Sequence, residues 1–109
     1  MGILINGNEF DTDDEGYLLE AQLGDDVPEQ IAALEDITLT DAHWTVIRYL
    51  RETWREQGHT PNFRAMLKEL SALDPTLDNK ALYDLFPMGP AKQGPRIAGL
   101  PKPYGKGGY

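Results

Sequence analysis

The sequence predicts a mostly α protein: a small helical bundle with a helix-turn-helix-like pair, an N-terminal β-hairpin and a flexible C-terminal arm. Three observations carry that reading. Apolar residues recur at three- and four-residue spacing over 41–57 and again over 61–72. An Asn-Gly pair separates two short runs near the start. Beyond residue 84 the acids stop, while glycine and proline become frequent.

In chain order, Ile3-Leu4-Ile5 reads as a strand, Asn6-Gly7 as the turn and Asn8-Glu9-Phe10 as the returning strand. The next turn holds Asp11, Asp13, Glu15 and Gly16, which match the first half of a calcium-binding loop. The twelfth position would then be Gln22, where calcium needs a bidentate glutamate, so a solvated turn is the better account. Asp26, Pro28 and Glu29 mark a helix start, continued by Ile31, Ala32 and Leu34. Thr40 caps the helix that carries Ala42, Trp44, Val46, Ile47, Tyr49, Leu50 and Trp54, and Gly58 stops it. Trp44 and Tyr49 are expected in the core. Thr60-Pro61 opens a helix with Phe63, Met66, Leu67, Leu70 and Leu73 inward. A short helix through Ala81, Leu82, Leu85 and Phe86 ends at Pro87. Residues 1–87 therefore form the hairpin and helical body, and 88–109 the arm, of one domain. Ile97 and Leu100 are expected to anchor the base of that arm.

The 109 residues carry a formal charge of −8 and no cysteine. All 18 acids lie within residues 1–84, which sum to −12, whereas 85–109 hold Lys92, Arg96, Lys102 and Lys106 for +4. Six of the 11 glycines and five of the eight prolines fall in that second stretch. No apolar run of about 18 residues is present, and the start lacks a basic then apolar leader, so the expectation is a cytoplasmic protein without membrane contact. The missing thiol excludes disulfides, thiolate metal sites, cysteine nucleophiles and persulfide chemistry on the chain itself.

Few side chains suggest catalysis. The two histidines, His43 and His59, are separated by a helix and its stop, which argues against zinc. His43 reads as a surface or cap-adjacent residue, and no nucleophile signature accompanies either ring. No metal or cofactor is expected. The helix pair 41–57 and 61–72, with Gly58-His59-Thr60 between them, has helix-turn-helix proportions and places Arg64 and Lys68 on one face. A body of −12 disfavours a nucleic-acid partner, because phosphate neutralisation supplies most of that affinity.

The run Leu82-Tyr83-Asp84-Leu85-Phe86-Pro87-Met88-Gly89-Pro90-Ala91-Lys92-Gln93, followed by Ile97-Ala98-Gly99-Leu100-Pro101-Lys102-Pro103-Tyr104-Gly105, closely resembles the DsrC/TusE family of sulfur-carrier proteins. Phe10-Asp11, Asp14-Glu15-Gly16-Tyr17-Leu18, Leu39 to Trp44, Tyr49-Leu50-Arg51 and Pro61 to Lys68 extend the resemblance over nearly the whole chain. It implies a helical bundle with a hairpin and a flexible arm, carrying sulfur on a cysteine near the arm's tip. That cysteine follows the glycine matched by Gly105, and Lys106 stands in its place. A second cysteine, found in members that act with dissimilatory sulfite reductase, is replaced by Pro95. Members that serve only tRNA thiolation keep just the first.

Three functions are therefore open. The leading one is a non-catalytic, regulatory or competing binding partner in sulfur oxidation or sulfur transfer, docking on sulfite reductase-like or sulfurtransferase-like proteins. Its expected contact residues are Lys92, Arg96, Leu100, Lys102, Tyr104, Lys106 and Tyr109. The second is a DNA-binding regulator using Arg64 and Lys68. The third, a sulfurtransferase proper, follows from the resemblance but lacks the thiol.

Overall fold

The computed structural model describes residues 2–103. Two strands, β1 (Gly2–Ile5) and β2 (Asn8–Asp11), are followed by five helices: α1 (Val27–Leu34), α2 (Asp41–Gln57), α3 (Phe63–Leu73), α4 (Asn79–Leu85) and α5 (Pro90–Ile97). The strands pair antiparallel, Ile5 opposite Asn8 and Ile3 opposite Phe10. Asn6 and Gly7 both take positive φ, 54° and 80°, as a type I′ turn requires. The Asn6 amide donates to Gln30 Oε1 at 2.8 Å, which ties the turn to α1.

The acidic turn after β2 is closed by its own carboxylate. Asp13 Oδ1 accepts from the backbone amides of Glu15 and Tyr17, at 2.9 and 3.0 Å. Among the described residues no group of three His, Asp or Glu side chains is placed to hold a metal ion.

Helix α2 starts as its residues predict. Thr40 and His43 form a reciprocal cap, and Gly58 ends the helix at φ 77°. His43 is cap-adjacent but not on the surface. It is 6% exposed, with Nε2 2.9 Å from the Leu85 carbonyl oxygen and its ring edge-on to Phe86. Trp44 and Tyr49 are only half-buried, flanking the core without entering it. Leu73, expected inward, is 69% exposed at the last turn of helix α3, whose buried residues are Met66 and Leu70. The helix also begins later than Thr60-Pro61 predicts. Asn62 is the cap, its Oδ1 accepting from the Ala65 amide at 2.9 Å, while Thr60 and Pro61 are buried in the turn before it.

The largest departure is at the C-terminal stretch. Residues 88–103, expected as the first part of a flexible arm, include helix α5, which packs against α1, α2, α3 and α4. Ile97, Ala98 and Leu100 are fully buried with Val46, Ile47 and Leu50 of α2 and Met66 and Leu70 of α3. Glycine and proline read as breakers from propensity, but here packing overrides it. Pro90 occupies the first turn, where its missing N–H is not needed. The two anchors expected of this region, Ile97 and Leu100, both lie in the core. Among the described residues no helix is long and apolar enough to cross a membrane.

Candidate functional site

The stretch from Gly89 to Pro103 is seated by two polar anchors, one on each side. On the first, Arg96 and Glu35 meet through two bonds: Nε to Oε2 and Nη2 to Oε1, each 2.8 Å. Gln93, 2% exposed, donates its side-chain amide to the same Glu35 Oε1 at 2.8 Å and accepts from the Met88 backbone amide at 3.0 Å. The Arg96 guanidinium also lies 5.6 Å above the Tyr17 ring. Tyr17, itself buried, donates its hydroxyl to the Lys92 carbonyl at 2.9 Å. Hydrogen bonding to Glu35 holds Arg96 above the ordinary guanidinium range, against an opposing effect of burial.

The second anchor is Arg51. Its Nε donates to the Ala98 carbonyl at 2.9 Å. Its two terminal nitrogens reach the carbonyls of Leu23 (3.1 Å), Gln22 (3.3 Å) and Gly24 (3.1 Å). One planar fork thus joins α2, the loop before α1 and the segment after α5, a geometry that the guanidinium's fixed donors suit. Burial, with Arg55 nearby, pushes Arg51 below its usual range, and Asp25 opposes this. The Gln22 amide donates to the Gly99 carbonyl at 2.8 Å, so the same two strands of chain are also stitched backbone to backbone.

Two glycines permit this fit. At Gly99, φ is +82° and a Cβ would stand 2.4 Å from the Gln22 carbonyl oxygen. At Gly94, a Cβ would meet Leu50 Cδ1 at 2.9 Å.

These anchors place the expected contact residues as follows. Lys92 and Lys102 are exposed, with Lys102 ion-paired to Glu15. Arg96 is largely committed to Glu35. Leu100 is wholly buried, so it supports the segment from inside and is corrected from a docking residue to a core residue. Tyr104, Lys106 and Tyr109 lie outside the described residues. Pro95 is buried within α5. Arg64 and Lys68 are exposed on α3. Sequence reasoning missed Glu35, Gln93 and the anchoring role of Arg51. One signal was available: Arg51 lies four residues after Ile47 and next to Leu50, on the apolar side of α2.

A hairpin-led helical domain that grips its own C-terminal segment defines a class of scaffold. The chain belongs to the DsrC-like family: the family model described as "DsrC like protein" matches residues 4–106. A "Sulfurtransferase TusE homolog" of Haemophilus influenzae is 46% identical over 102 residues, covering 91% of this chain and 94% of that protein. "Sulfurtransferase TusE" of Photorhabdus laumondii is 42% identical over 107 residues, covering 93% and 94%. The solved structures include the oxidised gamma-subunit of dissimilatory sulfite reductase (DsrC) from Archaeoglobus fulgidus. It is similar at a TM-score of 0.84 and 35% identity, covering 96% of this chain and 98% of its own. Allochromatium vinosum DsrC follows at a TM-score of 0.79 and 40% identity, covering 95% and 96%.

Proposed function

We propose that this chain is a non-catalytic member of the sulfur-relay family, which docks on sulfite reductase-like or sulfurtransferase-like proteins and regulates or competes with a thiol-bearing carrier. One observation carries the reading. The seat of the C-terminal segment is complete, from Glu35 and Arg96 to Arg51 and Gly99, while Pro95 and Lys106 stand where the resemblance places the reactive cysteines.

The chemistry is decisive for a carrier role. In sulfur relay a thiolate attacks the outer sulfur of a donor persulfide. A new S–S bond forms, the old one breaks and the donor leaves as its own thiolate. A proline offers no nucleophile, and a lysine ammonium forms no S–S bond. What the scaffold retains is shape and charge, with exposed Lys92 and Lys102 flanking the seated segment. The names of the relatives, a sulfite reductase subunit and sulfurtransferases, point to the partners to try first.

The test is competition. With a thiol-bearing relative bound to its sulfite reductase or sulfurtransferase partner, this chain should displace it, and a form lacking residues 104–109 should displace it at least about tenfold less well. If the full chain fails to compete at any concentration, the docking reading is wrong. If the shortened form competes equally, the helical body and not the tail makes the contact.

A further inference from the structure

A long surface groove belongs to neither anchor. It lies between α2 and α3 on the side away from the buried face of α2, with a volume of about 680 Å³. Its α2 wall is a single helical face running from Thr45 to Gln57, about 18 Å at the usual helical rise. The floor is apolar, drawn from Tyr49 of α2 and Ala72 and Leu73 of α3, with Thr53 beside them. Leu73 is 69% exposed, the most exposed large hydrophobic residue among the described residues. Tyr49 donates its hydroxyl to Glu69, so the ring's polar end is already satisfied and its face is left to pack.

The rim is acidic. Glu52, Glu56 and Glu69 line it against one cation, Arg48, whose guanidinium is drawn over the Trp44 ring at 5.8 Å. The ion pair of Glu52 with Arg55 is long, 3.9 Å, and exposed, so it neutralises little. An elongated apolar floor between two helices, bordered by carboxylates, has the complement of one kind of ligand: an amphipathic helix with an apolar stripe at i, i+3, i+4 and i+7 and Lys or Arg on its flanks. A nucleic acid would bring phosphates against three carboxylates. A second copy would bring a chain of net charge −8. The chain's own basic stretch has Arg96 on Glu35 and Lys102 on Glu15.

We infer that the α2–α3 groove is a docking surface for a basic amphipathic helix of another protein. The contact is separate from the seated C-terminal segment and does not depend on the function proposed above. The apolar floor supplies most of the affinity, and the carboxylates supply selectivity and a salt-dependent on-rate.

The experiment uses the full chain, 15N-labelled, titrated with three synthetic peptides of about 15 residues, long enough for a helix to form on binding. One has the leucine stripe flanked by lysines, the second the same stripe flanked by glutamates, and the third the lysine peptide with its leucines scrambled. The lysine peptide should shift the amide resonances of 45–57 and 69–73. It should bind about tenfold more tightly than either control, because the first control reverses the charge and the second breaks the apolar stripe. Leu73→Lys, at an exposed position, should leave the unbound spectrum native-like and weaken that peptide by about tenfold. Equal binding of all three peptides overturns the inference, as do shifts centred elsewhere or an unaffected Leu73→Lys variant. Concentration-dependent shifts of the same resonances without peptide would make the groove a self-association face instead, and would also overturn it.

Discussion

Glu35 and Arg96 form a two-point contact across 61 residues of chain, with both side chains less than one-fifth exposed and Gln93 sharing one carboxylate oxygen. The pair closes α5 onto the end of α1. Its energetic meaning lies in what remains when one partner is removed. Glu35→Ala would leave a partly buried guanidinium and a buried amide without their acceptor, so we expect a loss of about 3 kcal/mol, read from urea unfolding. A loss below about 0.5 kcal/mol would mean that Arg96 finds water or the Glu15 carbonyl just as well, as exposed pairs do.

Arg51 offers a sharper comparison, because its four carbonyl partners need a fork. Arg51→Lys keeps the charge but not the geometry. It should therefore lose about 2 kcal/mol, mainly by leaving carbonyls of the 22–24 loop unpaired. Amide hydrogen exchange should rise at Gln22, whose N–H is bonded to Gly99. Unchanged protection there would show that the backbone stitch holds without the guanidinium.

The two close-approach glycines should separate in magnitude. Gly99→Ala meets a backbone oxygen at 2.4 Å and needs a positive φ, so it should destabilise by more than about 2 kcal/mol. Gly94→Ala meets the far end of the Leu50 side chain, which can rotate, and should lose only about 1 kcal/mol. The thermal midpoints of the two variants test the order; equal midpoints would contradict it.

Local signals in the sequence located the hairpin, the cap at Thr40, the stop at Gly58 and most of the inward faces of α2 and α3, with Leu73 the exception at the end of α3, since turn residues and periodicity act over a few neighbours. Helix α5 escaped for a physical reason. Its eight residues include two prolines and a glycine, which read as breakers, and what holds the helix is the α2 face, Glu35 and Tyr17, all distant in sequence. The start of α3 was misplaced because Thr-Pro and Asn both carry cap signals two residues apart, and only packing of Thr60 and Pro61 decides between them. Recognition of the C-terminal motif fixed the family; it did not reveal that Gln93 and Arg96 serve the fold.

Tyr49 supplies a pH test. Burial, then the hydrogen bond and charge of Glu69, raise its phenol well above the ordinary value of 10.0. The folded state therefore favours the protonated form. Any stability linked to it is complete below pH 10 and declines as pH rises beyond the unfolded value toward the folded one. In an alkaline absorbance titration the Tyr49 phenol should ionise late, together with unfolding. Tyr49→Phe should remove that step. A late step that persists in Tyr49→Phe would assign it to another ring.

The last prediction returns chemistry to the scaffold. Pro95 sits buried in α5, so Pro95→Cys would place a thiol where neither base nor donor persulfide reaches it, and burial would hold that thiol protonated. Lys106 belongs to the stretch beyond the last core anchor, Leu100, and beyond the exposed Lys102. After incubation with a persulfidated carrier, Lys106→Cys should gain the mass of one sulfur atom, reversible by a dithiol, whereas Pro95→Cys and the native chain should gain none. Uptake by the native chain would defeat the non-catalytic reading outright. A Lys106→Cys variant that folds normally yet takes up nothing would mean that the carrier no longer recognises this surface, so the lost thiol would not be the only departure from sulfur relay.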